Sequence, residues 1–106
     1  MFVALEMSLQ VLELLAPIEA KLRQQRKSLA DEVVRAAESI ALNLAEGSRR
    51  VGLDRPNCFR LASGSAAELT TALRIARARG FITDADFAAI DKPLDSVRAI
   101  TWRLTH

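Results

Sequence analysis

The sequence predicts an all-α fold: a single-domain, antiparallel up-down-up-down four-helix bundle. Three observations carry this. Apolar residues recur at steps of three and four along four segments. Ala and Leu are abundant, while Tyr is absent and only four Gly and three Pro occur in 106 residues, so helix formers are plentiful and turn formers scarce. Each segment is also bounded by residue types that start or stop helices. The length allows one domain. A helical hairpin that completes its core by dimerising is the alternative architecture.

The first helix is expected over about residues 3–26. Phe2, Leu5, Leu9, Leu12 and Ala16 share one face, and Leu15, Ile18 and Leu22 continue a neighbouring stripe. Pro17 lacks an amide donor and its ring crowds the preceding turn, so a kink or an early end is expected there. The basic run from Lys21 to Lys27 reads as a last turn and loop, where cations suit the helix C-terminus.

The second helix should begin at Ser28, with Asp31 as its capping-box partner. Its apolar stripe is Val33, Ala36 or Ala37, Ile40 and Leu44. Gly47 is expected to stop it in the left-handed conformation, leaving residues 49–53 as a loop.

Asp54 is the expected N-cap of the third helix, with Pro56 in the first turn. Phe59, Ala62, Ala66, Leu69, Leu73 and Ala76 form a heptad-like seam. Gly64 in mid-helix costs about 1 kcal/mol relative to Ala, which points to a close approach by another helix. Gly80 ends the segment.

Thr83 and Asp86 form a capping-box variant at the start of the fourth helix. Its apolar face is Phe87, Ile90, Leu94, Val97, Ile100 or Thr101, and Leu104. Pro93 is expected to kink it, and Trp102 is expected to pack on the last turns.

Composition excludes several function classes. Cys58 is the only cysteine and His106, the last residue, the only histidine. An intrachain disulfide and a multi-thiolate metal site are therefore ruled out, and Ser-His-Asp or Cys-His chemistry would depend on a terminal imidazole. A di-metal bundle site needs Glu-x-x-His pairs, which are missing. No cofactor or metal is expected. The N-terminal segment has no basic region and Glu6 and Glu13 interrupt it, so a signal peptide or membrane span is not expected. Cytoplasmic location follows by default.

Two constellations remain. Arg35, Ser39, Asn43 and Glu46 share a face of the second helix at spacings of four, four and three, and Ser63, Ser65 and Glu68 answer from the third. Glu46 and Glu68 could do acid–base work. The plainer expectation is that Arg35 and the acids pair across packed helices, because a buried charge must be matched. The second constellation is basic, on a chain of net charge +2 and pI near 9.2. Arg49, Arg50, Arg55 and Arg60 surround the second loop. Arg74, Arg77 and Arg79 end the third helix, and Lys21, Arg23, Arg26 and Lys27 form a third patch. Arginine holds phosphate bidentately, so RNA or DNA backbone is a candidate ligand. Stacking aromatics for single strands are missing, and a solvated surface with intersubunit salt bridges is the alternative. The apolar half of the composition equally suits a protein–protein interface.

The stretch from Ala30 to Arg50, ADEVVRAAESIALNLAEGSRR, resembles the hallmark of the four-helix-bundle family of 23S rRNA intervening-sequence proteins. Arg35, Ala36, Ala37, Ser39, Ile40, Asn43, Ala45, Glu46 and Gly47 match it. A second block, LASGSAAELTTAL, matches at Ala62, Gly64, Ser65, Glu68, Leu69 and Leu73, and Gly80, Phe81 and Ile82 resemble the family's turn after the third helix. Glu32, Ala41 and Leu44 depart from the usual residues, and the aromatic opening of the first helix is blurred. The resemblance implies a ring-like homopentamer and kinship to the basic accessory proteins of diversity-generating retroelements, which engage a reverse transcriptase and nucleic acid. It also implies that Arg35, Asn43, Glu46, Ser65 and Glu68 are structural, fastening the second helix to the third. No enzymatic activity is implied.

Overall fold

The computed structural model describes residues 2–50, 52 and 54–106. Among them are four helices: α1 (Val3–Gln25), α2 (Lys27–Arg49), α3 (Asp54–Ala78) and α4 (Asp84–Thr105). Each packs on its sequence neighbours and α4 closes back on α1, giving the expected four-cornered bundle of 43 × 22 × 21 Å.

The expected stripes form the core on three helices. Val33, Ala36, Ala37, Ile40 and Leu44 of α2 are buried, as are Phe59, Ala62, Ala66, Leu69, Leu73 and Ala76 of α3 and Ile90, Leu94 and Val97 of α4. Each fully buried Leu, Ile or Phe contributes about 1.5–3 kcal/mol of transfer free energy. On α1 the second expected stripe wins. Val11, Leu15, Ile18 and Leu22 are buried with Ala4 and Ser8, and Leu9 of the first stripe stays 40% exposed. Ser8 is buried without penalty because its hydroxyl donates to the Leu5 carbonyl at 2.7 Å.

The helix ends correct several expectations. α1 runs through Pro17 to Gln25. Pro17 lies on the exposed side, as does Glu13, whose carbonyl loses the donor and can turn to water instead. α4 likewise continues through Pro93, which is buried. The basic run is not a loop. Arg26 alone, extended at φ −155°, ψ 102°, joins α1 to α2, and Ser28 is already inside α2. No side chain caps α2's N-terminus, and Asp31 binds Arg23 of α1 at 2.7 Å instead of serving Ser28.

Gly47 does not end α2. It is a buried residue inside the helix, and a Cβ there would meet the Phe59 ring at 2.6 Å. Gly64, expected at a close approach, is exposed with nothing within 4 Å of its would-be Cβ. The close approach expected at Gly64 is found at Gly47 instead, against Phe59 and Cys58 near the start of α3. Arg49 belongs to α2, Gly52 supplies a turn at φ +76°, and Val51 and Leu53 of the expected loop lie outside the described residues.

The far end matches its signals. Gly80 sits at φ +75°; its amide donates to the Arg77 carbonyl at 3.0 Å and the Phe81 amide to that of Ala76 at 2.9 Å, the two bonds of a Schellman ending. Thr83 and Asp86 form the full capping box. Trp102 corrects a further expectation: it is 59% exposed and stacks on His106, ring centroids 4.6 Å apart.

Candidate nucleic-acid interface

The up-down topology sorts the basic residues by bundle end. The C-terminus of α1, the N-terminus of α2, the C-terminus of α3 and the N-terminus of α4 share one end. Lys21 Nζ binds Asp86 Oδ2 there at 2.6 Å, and the Arg26 guanidinium sits 5.4 Å from the Phe81 ring centroid. Two patches far apart in sequence thus become one cluster: Arg26, Lys27, Arg74, Arg77 and Arg79. None has a carboxylate partner within 4 Å among the described residues. The Arg77 guanidinium lies 3.9 Å over the Phe87 ring, a cation–π contact that keeps its charge at the surface. Sequence spacing could not join Arg26 to Arg79; only the hairpin connections do.

At the opposite end, Arg49, Arg50, Arg55 and Arg60 are all exposed. Arg50 is the least available of them. Its Nε donates to Glu46 at 2.7 Å and its Nη1 to Asp54 at 3.3 Å, and the Glu46 hydrogen bond raises its pKa above the ordinary guanidinium value. Arg55 lies 5.7 Å from the Phe59 ring centroid. Arg49, Arg55 and Arg60 have no carboxylate partner among the described residues. Arg55 and Arg77 stand at opposite ends of α3, about 33 Å apart by helical rise. The six candidate arginines therefore form two separate footprints rather than one.

The polar line on α2 does less than its spacing suggests. Arg35 pairs with Glu32 on its own helix, and Glu46 pairs with Arg50, so neither reaches α3. Glu68 is exposed, lining an open groove with Leu29, Ala72 and Ile75. The expected pairing of charges across the packed helices is replaced by surface ion pairs within a helix, which need no burial compensation. Midway along the pair, a side-chain hydrogen bond does cross from α2 to α3: Ser39 Oγ and Ser65 Oγ are 2.8 Å apart. Asn43 supports it, donating to the Ser39 carbonyl at 2.9 Å and its hydroxyl at 3.2 Å. Glu46 and Glu68 are both exposed, on different stretches of the α2 and α3 surfaces.

Sequence reasoning missed one surface feature. Leu42 is 70% exposed and lines a groove of ≈ 340 Å³ between α1 and α2 with Leu9, Leu12, Glu38 and Ala41. The signal was present: Leu42 falls between the buried positions Ile40 and Leu44, off the apolar stripe. No helix among the described residues is long and apolar enough to cross a membrane.

Comparison with known proteins gives one family. The family model of the 23S rRNA-intervening sequence protein matches residues 3–103. A crystal structure from Bacteroides thetaiotaomicron, described as a protein with unknown function from the S23 ribosomal protein family, superposes with a TM-score of 0.80 at 18% identity, covering 97% of this chain and 94% of that one. At that identity the likeness speaks for the fold. No curated protein matches the chain.

Proposed function

The chain belongs to the 23S rRNA-intervening sequence protein family, and on that premise we propose that it acts as a non-enzymatic, cytoplasmic homo-oligomer, a pentamer, that holds nucleic-acid backbone through arginines at its bundle ends. The observation that carries the reading is the charge at those ends: Arg49, Arg55 and Arg60 at one, and Arg26, Lys27, Arg74, Arg77 and Arg79 at the other, lack carboxylate partners among the described residues. Unpaired guanidinium groups at a surface attract phosphate oxygens, and each contact releases counterions. One bundle offers a few such contacts per end. A ring multiplies them, because copies arranged about an axis present the same end side by side. Kinship to the accessory proteins of diversity-generating retroelements is part of this proposal, since those proteins too are basic and pentameric.

The test is binding of labelled RNA and DNA duplexes at about 50 mM and 200 mM salt, on protein whose mass has been set by light scattering. Binding that weakens steeply with salt, and that falls when Arg49 and Arg55 become Ala, supports the reading. Absence of binding at the lower salt removes the nucleic-acid half. A second reading, a scaffold that docks only protein, is favoured by the exposed Leu42 and the grooves beside α2. Partners that survive nuclease treatment would select it.

A further inference from the structure

The one tryptophan of the chain stands open where a packed residue was expected. Trp102 is 59% exposed. Its indole lies nearly parallel to the His106 imidazole, with 10° between the planes and 4.6 Å between centroids. His106 Nδ1 donates to the Trp102 carbonyl at 2.9 Å, which holds the imidazole against one face of the indole. An exposure of that size with one face covered leaves the other face to solvent. The ring borders α3. Arg98, one turn before it on the same face of α4, donates from Nη1 to Thr70 of α3 at 2.9 Å. Arg60, Ser63, Ala67 and Thr70 follow one stripe of α3 at steps of three and four, so that stripe and the indole share one side of the bundle. The Thr70–Arg98 bond and the Arg77–Phe87 contact set the antiparallel register of the two helices. It puts Arg60 within about 9 Å of the level of Trp102 by helical rise. Arg60 and Arg103 are exposed and have no carboxylate partner among the described residues. Asp91 and Asp95 of α4 precede Arg98, away from the ring, and Arg98 Nη2 holds both, at 2.9 and 3.1 Å.

We propose that the open face of Trp102 stacks an unpaired base of single-stranded RNA or DNA, with Arg60 and Arg103 on the neighbouring phosphates. The inference rests on the nucleic-acid reading above and deepens it, naming the strand state that is bound and the ring that selects it. Every base has a π-face, so an exposed aromatic beside cations takes up a strand with little regard to sequence. A base inside a duplex already stacks on both sides and would have to leave the helix to reach the indole. The platform therefore separates single strands from duplexes, which phosphate contacts alone do not do. Guanidinium groups on either side of one flat ring match a base with a phosphate on each side of it. Ser63 and Ala67 are short, so α3 does not roof the ring. The C-terminus of α4 shares its bundle end with the N-terminus of α3 and the C-terminus of α2, so a strand leaving the ring meets Arg55 and Arg49 next.

Because Trp102 is the only tryptophan, its fluorescence reads this site alone. The full chain is titrated at about 50 mM salt with oligouridine, with oligothymidine, with an abasic sugar–phosphate oligomer of equal length and with a long duplex. One or both single strands should quench the emission to saturation, and comparing the two shows which sugar is preferred. The abasic oligomer and the duplex should bind without comparable quenching. Trp102→Ala, followed by anisotropy of a labelled single strand, should weaken binding by roughly 5- to 150-fold, the loss of one stacked base. Duplex binding and the helical spectrum should stay as in the wild type, and Trp102→Phe, which keeps a π-face, should retain most of the single-strand affinity. The wild-type emission needs no variant, so the test stands even if Trp102→Ala loses its fold. If neither strands nor duplex bind, the nucleic-acid reading falls and the platform with it. If they bind while the emission stays still, or Trp102→Ala binds single strands as tightly as the wild type, the platform is overturned and the phosphate reading stands. Emission that follows protein concentration and ignores every oligomer would assign the ring to a contact between chains, which also overturns the proposal.

Discussion

Gly47 of α2 lies directly against the ring of Phe59 of α3: a Cβ built on the glycine would stand 2.6 Å from Cε1 and 2.9 Å from Cδ1. No real Cβ tolerates that distance, so one partner has to shift. The ring has little room to do so. Phe59 is 2% exposed, meets Phe2 edge-on at a centroid distance of 5.9 Å and carries Arg55 on its face. Gly47→Ala should therefore lower the melting temperature, by an overpacking cost of about 1–3 kcal/mol that outweighs the gain of about 1 kcal/mol in helix propensity. Adding Phe59→Leu should recover part of the loss. A melting temperature equal to or above the wild type's would remove the contact from the account of this helix pair.

Gly64 should respond in the opposite direction. It lies inside α3 with open space beyond its Cα, so Gly64→Ala gains helix propensity of up to about 1 kcal/mol without a clash. Thermal unfolding of Gly64→Ala beside the wild type measures it. A lower melting temperature would mean that the exposed surface at Gly64 is not open.

The contrast between the two glycines shows where the sequence was legible. Periodicity placed all four helices and most core residues of α2, α3 and α4, because burial of one stripe is what periodicity records; Ala30, Ala41, Cys58 and Ala72 widen those stripes. Capping chemistry placed Thr83–Asp86 and Gly80, because those bonds are local. What stayed hidden was set by distances between helices. Gly47 read as a helix stop and Gly64 as a close approach, and only the packing of α2 on α3 decides which has a neighbour. Pro17 read as a kink or an early end, and α1 runs on through it with the ring facing water. Arg26 and Arg79 joined one cluster only once the hairpins brought their ends together. The polar line from Arg35 to Glu46 was read as a seam. Two of its members, Ser39 and Asn43, turned inward; Arg35 and Glu46 turned out to local partners.

The Ser39–Ser65 bond is a measurable link between α2 and α3. Its hydroxyls are 2.8 Å apart and half-buried, and Asn43 also donates to Ser39. A double-mutant cycle over Ser39→Ala and Ser65→Ala should return a coupling of about 0.5–1.5 kcal/mol. Ser65→Ala should be the milder single change, because Ser39 keeps its bond from Asn43. Coupling within error of zero would assign the seam to apolar packing alone.

Two neighbouring interactions make the start of α4 sensitive to acid. Asp86 accepts from Lys21 Nζ at 2.6 Å, which ties α4 to α1, and from the Thr83 amide at 3.1 Å within the capping box. The Lys21 ammonium first, and the Thr83 amide second, hold the Asp86 carboxyl below its ordinary value. A carboxyl whose pKa is lower folded than unfolded stabilises the folded state above its unfolded pKa, and loses that contribution as pH falls through the folded one. Stability should thus be level near neutrality and decline on acidification below about pH 4, the ordinary Asp range. Asp86→Asn should flatten part of that decline and lower the neutral-pH melting temperature. Thr83→Ala, which removes the N-cap oxygen that accepts from the Asp86 amide at 3.0 Å, should cost about 1 kcal/mol while leaving most of the acid-sensitive part in place, because the Lys21 contact survives. If Asp86→Asn left both the neutral stability and its acid profile as in the wild type, the Lys21–Asp86 pair would be a surface contact with no part in holding α1 to α4.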